Sequence, residues 1–121
     1  MHVVLLVHSQ GIYRAGLKLL LAYEMGMRVV EASDSTAVIG RLQQEQIDLL
    51  ILDNGISGIP RLMQYIKKLY PAMPVVVLSP MRNRRLAKQM EQFGAHVVDL
   101  HTEKKDLIDV VRSVLPAPSL R

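Results

Sequence analysis

Asp53 is the residue best placed to do chemistry. It ends the run Leu49-Leu50-Ile51-Leu52-Asp53-Asn54-Gly55, in which four apolar residues meet a carboxylate and then turn-forming residues. A fully buried strand has this signature when it delivers one acid to the edge of a sheet. In open α/β sheets, ligands and chemistry gather in the crevice beyond the carboxyl ends of the strands. The expectation is an acid exposed at that rim. A second concentration of charge lies at Arg82, Arg84, Arg85 and Lys88, with Glu91 the nearby acid. These cations open a helical stretch, where each opposes the helix dipole by about a few tenths of a kcal/mol. The run reads either as a patch for an acidic protein partner or as the solvated face of an ordinary helix.

The elements that must position these residues come at regular intervals. Short runs rich in Val, Ile and Leu occur at 2–7, 28–32, 48–53, 74–79 and 96–100. Stretches with helical spacing lie between them, at 11–25, 35–45, 58–69, 82–93 and 103–115. In the last, Leu107, Val110, Val111 and Val114 share one face, with Lys105, Asp109 and Arg112 turned away. Thr102 with Glu103 suits one helix start, Ser57 with Pro60 another, and Gly94 a stop. Five strand-then-helix units with short connections predict a three-layer α/β domain around a parallel sheet. That domain covers 1–115, and the Pro-containing segment 116–121 has the composition of a linker or tail.

The 121 residues suffice for one domain. The absence of cysteine excludes disulfides and thiolate metal sites and suits the cytoplasm. The six apolar residues within the first seven are too few for a signal peptide or a membrane span. The net charge of +4 and pI near 9.6 fit scattered surface Lys and Arg, because no helix-turn-helix or aromatic-basic pattern accompanies them. The turn at 8–13 has one glycine and no phosphate-cradling Ser/Thr-rich loop, and no G-x-S-x-G elbow occurs, which argues against a flavoprotein or a hydrolase. Methionines 25, 63, 73, 81 and 90 read as core or rim packing. Tyr13 reads as core packing, with a dimer contact as the alternative.

The order of segments resembles a response-regulator receiver domain, most closely of the NarL/FixJ (LuxR-type) subfamily. The pieces that carry it are Val4-Leu5-Leu6-Val7 followed by Tyr13 to Leu21, Val30-Glu31-Ala32-Ser33-Asp34, Leu69 to Ser79, and Phe93-Gly94-Ala95. The resemblance implies a flavodoxin-like (βα)5 doubly wound parallel sheet with strand order 2-1-3-4-5. It also implies a signalling module rather than an enzyme. In such receivers the carboxylate ending the third strand accepts a phosphoryl group from a histidine kinase, and Asp53 holds that position. The reaction needs Mg²⁺, a hard cation that takes oxygen ligands.

By the same resemblance, other positions depart from the pattern. The acidic pair after the first strand reads His8 and Ser9, so Mg²⁺ binding is expected to be lost and no cofactor is expected. The lysine ending the fifth strand reads His101, whose charge is conditional because imidazole titrates near pH 6.5. The hydroxyl ending the fourth strand is kept as Ser79. The aromatic that moves with it reads Val98. Gly55 retains a backbone carbonyl able to face a metal.

The expectation is therefore a pseudo-receiver: a phosphorylation-independent regulatory and dimerisation domain of a two-component-type transcriptional regulator. Its expected partners are a second copy, another protein, or its own C-terminal helix-turn-helix domain, through which alone it would meet DNA; no membrane is expected. The dimer would use the first and fifth helices or the face from the fourth helix onward. Two alternatives stand beside this. Asp53 could still accept phosphate with Mg²⁺. The crevice near His8, Asp53 and His101 could instead sense a small molecule, a proton or a transition metal, since two imidazoles and a carboxylate suit Zn²⁺ better than Mg²⁺.

Overall fold

The computed structural model describes residues 1–79, 84–99 and 104–115. Strands β1 (Val3–Val7), β2 (Arg28–Ala32), β3 (Leu49–Asp53), β4 (Val75–Ser79) and β5 (His96–Asp99) alternate with five helices. These are α1 (Gly11–Leu19), α2 (Ser35–Gln44), α3 (Ile59–Leu69), α4 (Arg84–Gln92) and α5 (Lys104–Val114). All strand pairings are parallel, in the order β2-β1-β3-β4-β5, so the flavodoxin-like topology is as expected.

Side-chain alternation sorts the strands onto two cores. Leu5, Val7, Leu50, Leu52, Val75 and Val77 face one layer, with Val38 and Leu42 of α2, Leu62, Met63 and Ile66 of α3, and Met90 of α4. Val4, Leu6, Leu49, Ile51, Val76, Leu78 and Val98 face the other, with Leu21, Leu107 and Val111. The central strands β3 and β4 are buried at every position, which explains their unbroken apolar runs. Edge strand β2 alternates instead and carries Arg28 and Glu31.

Helix boundaries follow local chemistry. Asp34 caps α2 by accepting the Ala37 N–H at 2.8 Å. Gly94 has φ +79°, the left-handed turn that glycine best provides, so the expected stop after α4 is in place. Two details differ from expectation. At the start of α3, the cap is Gly58 with φ +75°, not Ser57, whose carbonyl instead accepts the Ser35 hydroxyl at 2.7 Å. The first helix ends in a π turn, Leu20–Glu24, rather than continuing as α-helix to 25. Met25, Met63, Met73 and Met90 pack in or against the cores as expected. Met81, the start at Thr102 and Glu103, and the tail 116–121 lie outside the described residues. Among the described residues, no helix is long and apolar enough to cross a membrane.

One polar clamp holds the middle of the sheet in register. The Asp48 carboxylate accepts the Val3 N–H at 2.7 Å, while the Asp48 N–H donates to the Val3 carbonyl at 2.8 Å. Asp48→Ala leaves a half-buried N–H without its charged acceptor and should cost about 1–3 kcal/mol. Urea unfolding of the variant measures this, and an unchanged midpoint would show that the clamp contributes nothing.

Candidate functional site

The register of the sheet decides which side chains meet at its carboxyl edge. β1 pairs with β3 so that Val7 lies beside Leu52, and β3 with β4 so that Asp53 lies beside Leu78. One residue beyond Val7, His8 therefore comes alongside Asp53. Both continue the alternation of Val4, Leu6, Leu49 and Ile51, which places them over the α1 and α5 layer. Ser79 continues Val75 and Val77 and so belongs to the opposite layer. The two layers are joined at the rim by Asn54, whose side-chain amide donates to Ser79 Oγ at 3.3 Å and whose backbone N–H donates to the Leu78 carbonyl at 3.0 Å.

Asp53 is not the exposed rim acid that its strand suggested. It is 6% exposed, because the turn at 54–58 folds back over it and His8 closes its side. The Ile56 N–H donates to the Asp53 carbonyl at 3.2 Å, which holds the turn down. Gly55 then passes so near that a Cβ there would lie 3.1 Å from Asp53 Oδ2. Gly55 is needed here for close approach, since its φ is not positive.

His8 is buried, 3% exposed, and its ring is fixed from several sides. Nδ1 accepts the Gln10 N–H at 3.0 Å. Tyr13, from the first turn of α1, stacks on the ring with centroids 5.4 Å apart and planes at 25°. The His8 carbonyl accepts from Arg14 at 2.7 Å, and Arg14 in turn pairs with Glu31 at 3.3 Å. Tyr13 is thus 53% exposed and covers an imidazole, which corrects its reading as a core residue. Nothing in the sequence announced this role; it depends on α1 turning back over the end of β1.

An imidazole nitrogen that accepts a hydrogen bond carries no proton, so the hydrogen of the neutral ring sits on Nε2. Nε2 lies 3.6 Å from Asp53 Oδ2, beyond hydrogen-bond length, and has no hydrogen-bond partner among the described residues. The pair is a buried donor facing a carboxylate. It is not an imidazolium ion pair, and Nε2 has no lone pair to give a metal while the Gln10 bond holds. Among the described residues no group of three His, Asp or Glu could hold a metal ion. Beside Asp53 they offer a hard cation the one carboxylate, with the His8 ring turned toward it as a donor.

The other expected positions divide. Ser9 is exposed; Val98 is buried in β5, in register with Leu78. Arg84, Arg85 and Lys88 are exposed at the start of α4. His101 and Arg82 lie outside the described residues. The contributions of Gln10, Tyr13, Arg14 and Asn54 were not foreseen, and of these only Asn54, adjacent to the acid, carried a local signal.

Residues 4–112 match the family model described as response regulator receiver domain. No curated protein matches the chain in sequence. Among solved structures, NtrX from Brucella abortus superimposes with a TM-score of 0.86 at 24% identity, covering 95% of this chain and 27% of NtrX. The chain thus spans about a quarter of that protein. A receiver domain protein from Clostridium thermocellum gives 0.86 at 22% identity, covering 94% of each chain. Chemotaxis response regulator CheY4 of Vibrio cholerae gives 0.85 at 18% identity, covering 95% of this chain and 99% of that one. At these identities the structural likeness speaks to fold.

The tautomer of His8 is directly measurable. Long-range proton–nitrogen NMR on the folded chain should find Nδ1 unprotonated and Nε2 bearing hydrogen at neutral pH. Two protonated nitrogens would mean that the Gln10 bond is absent and the pair is ionic.

Proposed function

The chain belongs to the response regulator receiver family, and from that premise we propose that it is a receiver working without aspartyl phosphorylation. In this reading it is a cytoplasmic regulatory and dimerisation domain of a NarL/FixJ-type transcriptional regulator. Residues 1–115 form the domain, and 116–121 lead toward a C-terminal helix-turn-helix domain that alone touches DNA. The activity is signalling through a protein interface.

One observation carries the reading: the side of Asp53 is taken by a buried neutral imidazole. Phosphoryl transfer to a carboxylate brings anions together, and a divalent cation is what offsets their repulsion. Mg²⁺ is held by one or two carboxylates with waters and phosphate oxygens completing an octahedron, and here the position beside the Asp53 carboxylate presents the N–H of His8, a donor that a cation cannot use. No phosphoryl step is therefore derived through that metal. Val98 points the same way, because a buried aliphatic side chain in β5 has no hydroxyl or ring with which to report a movement of Ser79. The transition-metal alternative is disfavoured by the hydrogen on His8 Nε2.

The working-phosphoacceptor alternative keeps Asp53 and Ser79 in place, and one experiment separates the two. The chain is incubated with acetyl phosphate and Mg²⁺ and its intact mass recorded. The expected spectrum is the unmodified mass, identical to that of Asp53→Asn under the same conditions. A single phosphoryl adduct present in the wild type and missing in Asp53→Asn would overturn the proposal.

A further inference from the structure

The edge of the sheet opposite Asp53 holds a groove that the preceding reading leaves unused. Helices α2 and α3 end there, at Gln44 and Leu69. The chain then crosses to β3 through residues 45–48 and to β4 through 70–74. The second crossing contains Pro71 and Pro74, which cannot continue a helix. It is closed as a turn by the Met73 N–H, which donates to the Tyr70 carbonyl at 3.1 Å. Between the two crossings lies an open groove of about 520 Å³, within the usual range for small-molecule sites. Leu42, Ile47, Leu69, Met73 and Pro74 make most of its wall. Leu69 is 53% exposed, so apolar surface there still faces water.

The charge in that wall is of one sign. Glu45 and Asp48 line the groove, and among the described residues no Lys, Arg or His does. Glu45 already pairs with Arg28 at 2.6 Å and lies 3.9 Å from Arg41. Asp48 makes no ion pair among the described residues. Its Oδ2 accepts the Val3 N–H, and its Oδ1 has no partner among them. The C-termini of α2 and α3 add the negative ends of two helix dipoles. Tyr70 contributes a ring. Its hydroxyl is committed to the Leu42 carbonyl at 3.2 Å, and its ring leans on that of Tyr65 with centroids 6.4 Å apart. A fixed aromatic ring is the one uncharged wall that attracts a cation.

We propose that this groove binds a small organic cation with an apolar body. Its ammonium group faces Asp48 and Tyr70, and its hydrocarbon lies along Leu42, Ile47 and Leu69. A hydrated inorganic cation does not suit the site, because most of the wall is apolar and one carboxylate oxygen is open. An anion is opposed by both helix ends and by Asp48. The anchoring carboxylate is also the clamp between β1 and β3, so occupancy reinforces the pairing that brings His8 beside Asp53. The site is remote from Asp53 and stands whichever way the acetyl phosphate experiment falls.

The full chain, labelled with ¹⁵N, is titrated with hexyltrimethylammonium, and in parallel with hexanol and hexanoate, which match its apolar group. The ammonium should give saturable amide shifts clustered at residues 42–48 and 69–74, and should raise the thermal midpoint. The alcohol and the carboxylate should bind at least about tenfold more weakly. Added salt should weaken the ammonium alone. Asp48→Asn removes the charge and keeps an oxygen for the Val3 N–H; Leu69→Arg places a competing cation at the exposed rim. Each should weaken ammonium binding by at least about fivefold. Leu69 is exposed, so its variant tests the site even where Asp48→Asn lowers stability. Shifts that scatter over the surface or never saturate, equal binding of the three probes, or full affinity in both variants would overturn the proposal.

Discussion

The in-register pairing of β1 with β3 is the constraint from which the site follows. Once Val7 sits beside Leu52, His8 has to come alongside Asp53, and both have to point into the same layer. A slip of one residue would turn either side chain to the other face of the sheet. The Asp48–Val3 clamp fixes this register from the opposite end of the strands. Proximity of the imidazole and the acid is thus imposed by the backbone, and only their chemistry is left to the side chains.

That chemistry is settled by a hydrogen bond on the far side of the ring. The Gln10 N–H occupies Nδ1, so Nε2 presents hydrogen toward the carboxylate, and Tyr13 shields the ring face from water. A buried polar pair of this kind is expensive unless its groups are satisfied. The site tolerates a 3.6 Å separation because a neutral donor beside a single carboxylate carries one charge rather than two.

The layered architecture was legible because periodicity reports burial directly. The uninterrupted apolar stretches of β3 and β4 could only be central strands, and the Leu107, Val110, Val111, Val114 face of α5 buries as its spacing required. Local signals resolved less where two residue types could do one job. Ser57 has a capping side chain, yet the backbone needed a left-handed residue one position later, and Gly58 supplies it. The burial of Asp53 was invisible because it depends on Gly55 allowing the chain to fold back within van der Waals reach of the carboxylate. Tyr13 was misread for a related reason. Aromatic residues usually fill cores, and only the three-dimensional return of α1 over β1 gives this one a ring to stack on.

The clamp between residues 3 and 48 has a further consequence, for the birth of the protein. β1 is the first strand of this domain to leave the ribosome, yet it lies inside the finished sheet, flanked by β2 and β3. Its second edge stays open until the chain beyond residue 53 has emerged. During that interval Val3–Val7 has one edge without its partner, the kind of edge that invites foreign pairing. Closure also spans 45 residues of sequence, so it is an entropically late step rather than an early one. The same backbone pairing that sets His8 beside Asp53 therefore sets the moment at which translation hands over a protected domain.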